Sequence, residues 1–251
     1  MSPQDDLIHK TGQALDGVQL RRDARVQASL AAALDHTMRV LSKGTILVFE
    51  GAKVDSLFHV TSGWLAAAKS LPEGERQIVE FVLPGETYDP TSADGQTSYV
   101  ELEALCETTV AIIDAATWAR LLSELPELRD SERLRDVAAR ARQSERMLRL
   151  GKSSAESRVA YALIEFCMRM TAIGETDRDC VFHVPLGQQQ LAEYTGLSSV
   201  HVCRTLRRLG RNGLITADDH MDLEIHDVHA LAVLAGVDLD ALRREIIPGA
   251  A

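Results

Sequence analysis

The sequence predicts an α+β fold in three successive parts, and three observations carry that expectation. Residues 39–114 hold short runs rich in Val, Ile, Leu and Phe, separated by Gly, Pro and Asp turns. Residues 127–150 contain neither Pro nor Gly and alternate charge along their faces. Residues 186–215, LGQQQLAEYTGLSSVHVCRTLRRLGRNGLI, read as two short helices joined by a tight turn. A strand-rich half, one long charged helix and a compact helical motif are therefore expected in that order.

The elements follow along the chain. Residues 7–38 carry a helical pattern in Leu15, Val18, Leu30, Ala31, Leu34 and Met38. Strands are expected at Thr45–Phe49, Ser56–Thr61, Gly63–Ser70, Arg76–Leu83, Tyr99–Ala104 and Thr109–Ile113. Their length and spacing suit a β-roll or barrel. From Ala115 the pattern is helical again, and after Pro126 a long helix should run to Leu150. On it Leu134, Val137, Ala141 and Leu148, with the polar Ser144 between, approximate a spacing of three and four. A narrow apolar stripe on a long charged helix reads as a dimerisation seam. Gly151 is expected to break that helix, and Ser153-Ser154-Ala155-Glu156 has the pattern of a capping box, Ser153 being the cap. The domains are therefore drawn at 1–125, 126–150 and 151–251.

In the helical motif, Leu191, Ala192 and Leu197 give the first helix and turn an inner face, and Gly196 supplies the residue that adopts positive φ without steric cost. Ser198 stands where an N-cap belongs. Val202, Leu206 and Leu209 recur at helical spacing on the second helix, which leaves Ser199, His201, Arg204, Arg207, Arg208 and Arg211 on its other side. Between Glu193 and Asp218 there are four arginines and no acid, in a chain of net charge −10. After it, Leu214-Ile215 and Thr216–Ile225 suggest two strands turning at Asp218-Asp219-His220. A hairpin directly after the second helix makes the motif a winged helix-turn-helix. A helix with a polar tip and a basic flank suits the major groove of DNA. The candidate DNA-contacting residues are Gln188, Gln189, Ser198, Ser199, Val200, His201, Cys203, Arg204, Arg207 and Arg208. One or two short helices are expected beyond the wing, the first starting after a cap at Asp227.

Composition narrows the function. Residues 1–125 carry 10 bases and 18 acids, a net of −8, so the remaining −2 of the total −10 belongs to residues 126–251. The acidic half should repel the phosphate backbone, leaving one basic end for DNA. No apolar run approaches the roughly 18 residues of a membrane span. The N-terminus, MSPQDDLIHK, has acids where a signal peptide needs bases, so a cytoplasmic protein is expected. Cysteines at 106, 167, 180 and 203 form no CxxC pair, and no metal site is indicated. Gly151-Lys152-Ser153 resembles the end of a phosphate-binding loop, but Arg146 stands where its first Gly is required. No other catalytic motif is present, and an enzyme is not expected.

The run TGLSSVHVCRTLRRLGRNGLI resembles the helix-turn-helix of the Crp/Fnr superfamily of bacterial transcription regulators. KGTILVFEGAKVDSLFHVTSGWLAAAKSLPEGERQIVEFVLPGE, residues 43–86, resembles that family's β-roll sensor, with Gly44, Gly51, Gly63, Gly74 and Gly85 carrying much of the match. The likeness covers residues 35–228. It implies a jelly roll of the cyclic-nucleotide-binding type, a homodimer on double-stranded DNA, and RNA polymerase as a partner. It also implies that Arg204, in an S-x-x-x-x-x-R pattern with Ser198, contacts guanine, whose O6 and N7 its fork matches. Val200 replaces a glutamate of the cAMP receptor and Fnr. Gly187 replaces the usual Thr or Ser cap, which predicts a looser start to the first helix.

The resemblance also bears on ligands. The family's cyclic-nucleotide binders hold the phosphate with a Gly-Glu and an Arg-Ser pair. Here the corresponding stretch, Pro84–Glu103, has five acids and no Arg or Lys, which predicts no cyclic-nucleotide binding. No cysteine precedes Cys106, which excludes an N-terminal iron–sulfur cluster; no cofactor is expected, and His9, His36 and His59 leave haem open. Cys203, beside Arg204, is a candidate redox switch or simply a small side chain that permits close groove approach. A second reading stays open: a sensor or protein-interaction module whose winged helix no longer binds DNA.

Overall fold

The computed structural model describes residues 30, 33–176, 181–217 and 222–250. Most of the helical pattern read at 7–38, Cys180 and the wing turn at Asp218-Asp219-His220 lie outside the described residues. Eight strands build the N-terminal half: β1 (Met38–Leu41), β2 (Ile46–Val48), β3 (Ser56–Ser62), β4 (Leu65–Ser70), β5 (Arg76–Val82), β6 (Thr87–Tyr88), β7 (Glu101–Ala104) and β8 (Thr108–Asp114). They form two antiparallel four-stranded sheets, ordered β1-β8-β3-β6 and β2-β7-β4-β5. All six expected strands are present, and the short β1 and β6 are additional to them. Met38, expected to end a helix, instead opens β1 opposite Ala111 after a 3-10 turn at Asp35–Thr37. A four-residue strand with exposed Arg39 and Val40 leaves no alternation to read.

Alternation in the longer strands makes the core. Val60, Leu65, Ala67, Val82, Leu102 and Val110 point between the sheets. Ala66, Ala68, Ile78 and Phe81 point the other way, into a cluster shared with the C-terminal half. Strand β4 is thus buried on both faces over Leu65–Ala68, and small side chains allow that closeness. At Gly63 the backbone takes φ 74°, and a Cβ would collide with the carbonyl of Glu107 and the side chain of Thr108. On β3 the buried His59 ring places Nδ1 3.0 Å from the Thr87 hydroxyl. Burial and the neighbouring Arg135 charge bring its pKa down to about 4, so the imidazole is neutral at pH 7.

Helix α1 (Ala115–Glu124) is capped by Asp114, whose carboxylate accepts from the Thr117 amide at 2.8 Å. Helix α2 runs Pro126–Lys152, with Pro at its first position where the missing N–H costs nothing. It does not stop at Gly151. The chain leaves it at Ser153, and Ser154 caps helix α3 (Ala155–Ile173) by accepting from the Ser157 amide at 3.2 Å. The cap is therefore one residue later than the capping-box pattern suggests, and Glu156 does not close a box but accepts from Arg208 at 3.3 Å.

A three-stranded sheet, β10-β11-β9, combines the expected wing strands β10 (Ile215–Ala217) and β11 (Asp222–Ile225) with the unexpected β9 (Val181–His183). Helices α4 (Gln188–Thr195) and α5 (Ser199–Arg211) flank Gly196, which takes φ 64°. The start of α4 is tied rather than loose, because the Gln190 side chain accepts from the Gly187 amide at 2.9 Å. Helices α6 (Val228–Ala235), capped by Asp227, and α7 (Leu239–Ile246), capped by Asp238, complete the fold.

Candidate nucleic-acid interface

Helix α5 buries Val202, Leu206 and Leu209, together with Thr205. The cap at Ser198, whose hydroxyl accepts from the His201 amide at 3.3 Å, fixes where that stripe begins. The spacing then places Val200, Cys203, Arg204, Arg207 and Arg211 along the opposite side, flanked by His201 and Arg208. Val200 is 58% exposed. Ser199, His201, Arg204, Arg207, Arg208 and Arg211 are exposed, and Cys203 is half-buried. Among the described residues Arg204, Arg207 and Arg211 have no carboxylate partner, whereas Arg208 is drawn to Glu156. An extended row of uncompensated guanidinium groups in an acidic protein is a surface suited to a polyanion.

The two glutamines stand apart from this row, at the start of α4. Gln189 is exposed and donates to Glu193 at 3.1 Å; Gln188 is half-buried. Glu193 also accepts from Arg76 of β5 at 2.7 Å, and Arg76 reaches Glu103 at the same distance. Gln77 donates to the Tyr194 carbonyl at 3.1 Å. The first helix of the motif is thereby held against the β-roll.

Behind it lies a buried ionic junction that sequence reasoning missed. Glu80 of β5 meets Arg146 of α2 at 3.0 Å and Arg169 of α3 at 3.1 Å. Arg169 also meets Glu86 at 2.8 Å and donates to the Phe81 carbonyl at 2.7 Å. Tyr194 of α4 donates to Glu165 at 2.7 Å and accepts from Arg146. Burial alone would raise the Glu80 pKa, but Arg142, Arg146 and Arg169 outweigh it and hold the carboxyl at about 2. An aromatic cluster surrounds these charges, with Phe81 and Tyr194 ring centres 4.6 Å apart and Phe166 and Tyr194 5.6 Å apart. The available signal was a lone carboxylate in the apolar run of β5, RQIVEFV.

On α2 the residues expected in a seam divide. Leu134, Val137 and Leu148 are exposed, at 44, 48 and 55%. Ala141 is half-buried against the core of its own chain, so it does not continue the free stripe. The stretch 84–103 runs from the turn after β5 through β6 and a loop into β7. Glu86 is taken up by Arg169 and the Leu83 amide, Asp94 accepts from the Gln96 and Thr97 amides, and the Tyr88 and Tyr99 hydroxyls meet at 2.7 Å. Lys69 is a nearby cation that the sequence does not place there; it donates to the Tyr99 carbonyl and pairs with Glu50, both at 2.7 Å. Among the described residues no cluster of His, Cys, Asp or Glu is suited to a metal, and no helix is long and apolar enough to cross a membrane.

Comparison with known proteins agrees with both halves. A cyclic nucleotide-binding domain family model matches residues 38–124, and a Crp-like helix-turn-helix domain model matches residues 157–234. The chain is 32% identical over 203 residues to the transcriptional activator protein Anr of Pseudomonas aeruginosa, covering 80% of this chain and 82% of Anr. It is 30% identical over 224 residues to the nitrogen fixation regulation protein FixK of Bradyrhizobium diazoefficiens, covering 86% and 91%. The structure of FixK2 from Bradyrhizobium japonicum superposes with a TM-score of 0.70 at 21% identity, over 80% of this chain and 98% of that one. With a β-roll, a long connecting helix and a winged helix-turn-helix in this order, and with relatives at this level of identity over most of their length, the chain belongs to the Crp/Fnr superfamily of transcription regulators.

Proposed function

We propose that this regulator binds a pseudo-palindromic operator as a homodimer, without a cyclic nucleotide. The observation that carries the reading is the row Arg204, Arg207 and Arg211 of α5, which has no carboxylate partner among the described residues. In this arrangement the first turns of α5 enter the major groove. Ser199, Val200, His201 and Arg204 approach base edges, and Arg207, Arg208 and Arg211 lie toward phosphates. Gln188 and Gln189 approach the backbone from the start of α4, and Cys203 is the small side chain that lets the helix come close. Selecting bound fragments from random DNA should yield two inverted half-sites about one helical turn apart. A pool showing no enrichment would refute sequence-specific binding. Contact with RNA polymerase is part of the proposal and follows from the kinship with the activator Anr.

The homodimer rests on the exposed Leu134, Val137 and Leu148, a stripe left bare on a helix otherwise packed by Leu128, Ala138, Arg142, Arg146 and Arg149. Leu148→Asp would place two charges in a two-fold contact and should convert the protein to monomer in sedimentation equilibrium. An unchanged dimer would place the interface elsewhere. Independence from cyclic nucleotide rests on the stretch 84–103, which carries five carboxylates and no Arg or Lys of its own. Titration of cAMP into the full-length protein should give no saturable heat. One site per chain with a micromolar constant would overturn this part of the proposal.

A further inference from the structure

A cavity of about 100 Å³ lies where the β-roll, α2, α3 and the C-terminal residues meet, well above the roughly 10–15 Å³ that one water needs. Its walls are the β5–β6 turn at Leu83–Glu86, one side of α2, the last turn of α3, and Ile246–Pro248 at the end of α7. The walls are apolar except for Ser131, Glu86 and three arginines, Arg135, Arg142 and Arg169. Two of those arginines are accounted for. Arg135 pairs with Glu132 at 2.6 Å, and Arg169 meets Glu86 at 2.8 Å and Glu80 at 3.1 Å.

Arg142 differs. It is 4% exposed, and among the described residues no carboxylate accepts a hydrogen bond from it. Its nearest acids are Glu80 at 3.5 Å, Glu86 at 3.9 Å and Glu165 at 4.0 Å. Among the described residues its one hydrogen bond goes to the Ile246 carbonyl at 3.3 Å, and its Nε, like that of Arg169, has no hydrogen-bond partner. A buried guanidinium has five donors to satisfy, and leaving them unmet is costly.

We propose that this cavity binds a small carboxylate with a short apolar body, the carboxylate meeting Arg142 and the body lying against Ala172, Ile173 and Ile247. A planar carboxylate matches the guanidinium fork. A monoanion is selected because Glu80, Glu86 and Glu165 surround the same arginine and would repel a second charge. Since the walls come from both halves of the chain, the bound molecule would fix the β-roll relative to the helix-turn-helix. That effector role rests on the DNA-binding reading above; the binding itself does not.

Butanoate is the probe, with butanamide as its neutral counterpart, titrated calorimetrically into the full-length protein without DNA. Butanoate should saturate one site per chain with a constant of about 1 mM or tighter, within what so small a ligand can reach. Butanamide should bind at least about tenfold more weakly, and Arg142→Gln should weaken butanoate by about 10- to 100-fold, the range expected on removing a charged hydrogen bond. Ala172→Leu fills the cavity without touching the charges; it should melt like the parent and lose butanoate binding, which keeps the test sound if Arg142→Gln does not fold. No saturable heat from butanoate, equal binding of butanamide, or parent-like binding by Ala172→Leu would each overturn the site. Saturating butanoate should also shift operator affinity in the parent but not in Ala172→Leu. An unchanged affinity despite proven binding would remove the effector role alone, and absence of operator binding in every sample would fault the DNA-binding reading instead.

Discussion

Glu80→Ala is expected to destabilise the folded chain by about 3–5 kcal/mol, the cost typical of removing one partner from a buried ionic cluster. Three guanidinium groups converge on that carboxylate, Arg146 and Arg169 within 3.1 Å and Arg142 at 3.5 Å. Without it, Glu165 and Glu86 are left to balance all three arginines, each of which is buried. For a chain of this size the loss should lower the melting temperature by roughly 6–20 °C. Acid should mimic the substitution. The folded carboxyl is held at about 2, below its ordinary value of 4.5. Its contribution is therefore complete above pH 4.5 and is lost as pH falls through about 2. A shift of that size corresponds to about 3 kcal/mol, in line with the mutational figure. Calorimetric melting of parent and Glu80→Ala at pH 7 and pH 3 provides the check, and the difference between them should shrink at the lower pH. A variant melting within a degree or two of the parent at pH 7 would show that the charges reorganise at little cost.

That junction also marks the limit of what the sequence reveals. The helix-turn-helix is legible because each of its constraints is local: the Gly196 turn, the Ser198 cap three residues before the amide it satisfies, and the 3–4 spacing of Val202, Leu206 and Leu209. The long strands are legible for the same reason, through alternation and glycine turns. Boundaries are less so. Ser153 and Ser154 are equally good caps by chemistry, and the choice between them follows from where α2 ends. Gly151 adds only about 1 kcal/mol against a helix relative to Ala, which the packing of Arg149 and the rest of the last turns overrides. Strand β9 has three residues and exists through its pairing with β11. The bonds of Arg146 and Arg169 to Glu80 span 66 and 89 residues, a distance at which neither periodicity nor spacing carries information. Half-burial of Ala141 is likewise set by what packs beside α2, not by the heptad-like spacing that nominated it.

The second large effect is expected at the proposed DNA face. Arg204→Ala should abolish sequence-specific binding while leaving the oligomeric state and the melting temperature unchanged. Arg204 sits in the second turn of α5, exposed and without a carboxylate partner among the described residues, so the free protein holds it ready rather than committed to an internal ion pair. Arg208 differs because Glu156 competes for it at 3.3 Å. A bidentate arginine–guanine pair contributes about 1–3 kcal/mol, so two half-sites lose about 2–6 kcal/mol, roughly 30-fold to more than 10⁴-fold in affinity. Fluorescence anisotropy on a selected operator and on scrambled DNA, at one fixed salt concentration, separates this from a general loss of charge. For Arg204→Ala the operator should fall to the level of scrambled DNA, which itself changes little. Arg207→Ala should instead weaken both DNAs together and reduce the salt slope by about one unit for each phosphate that is no longer neutralised. If Arg204→Ala keeps its preference for the operator, the base-reading residue is not Arg204. If it also keeps the parent's footprint, α5 is not the helix that enters the groove.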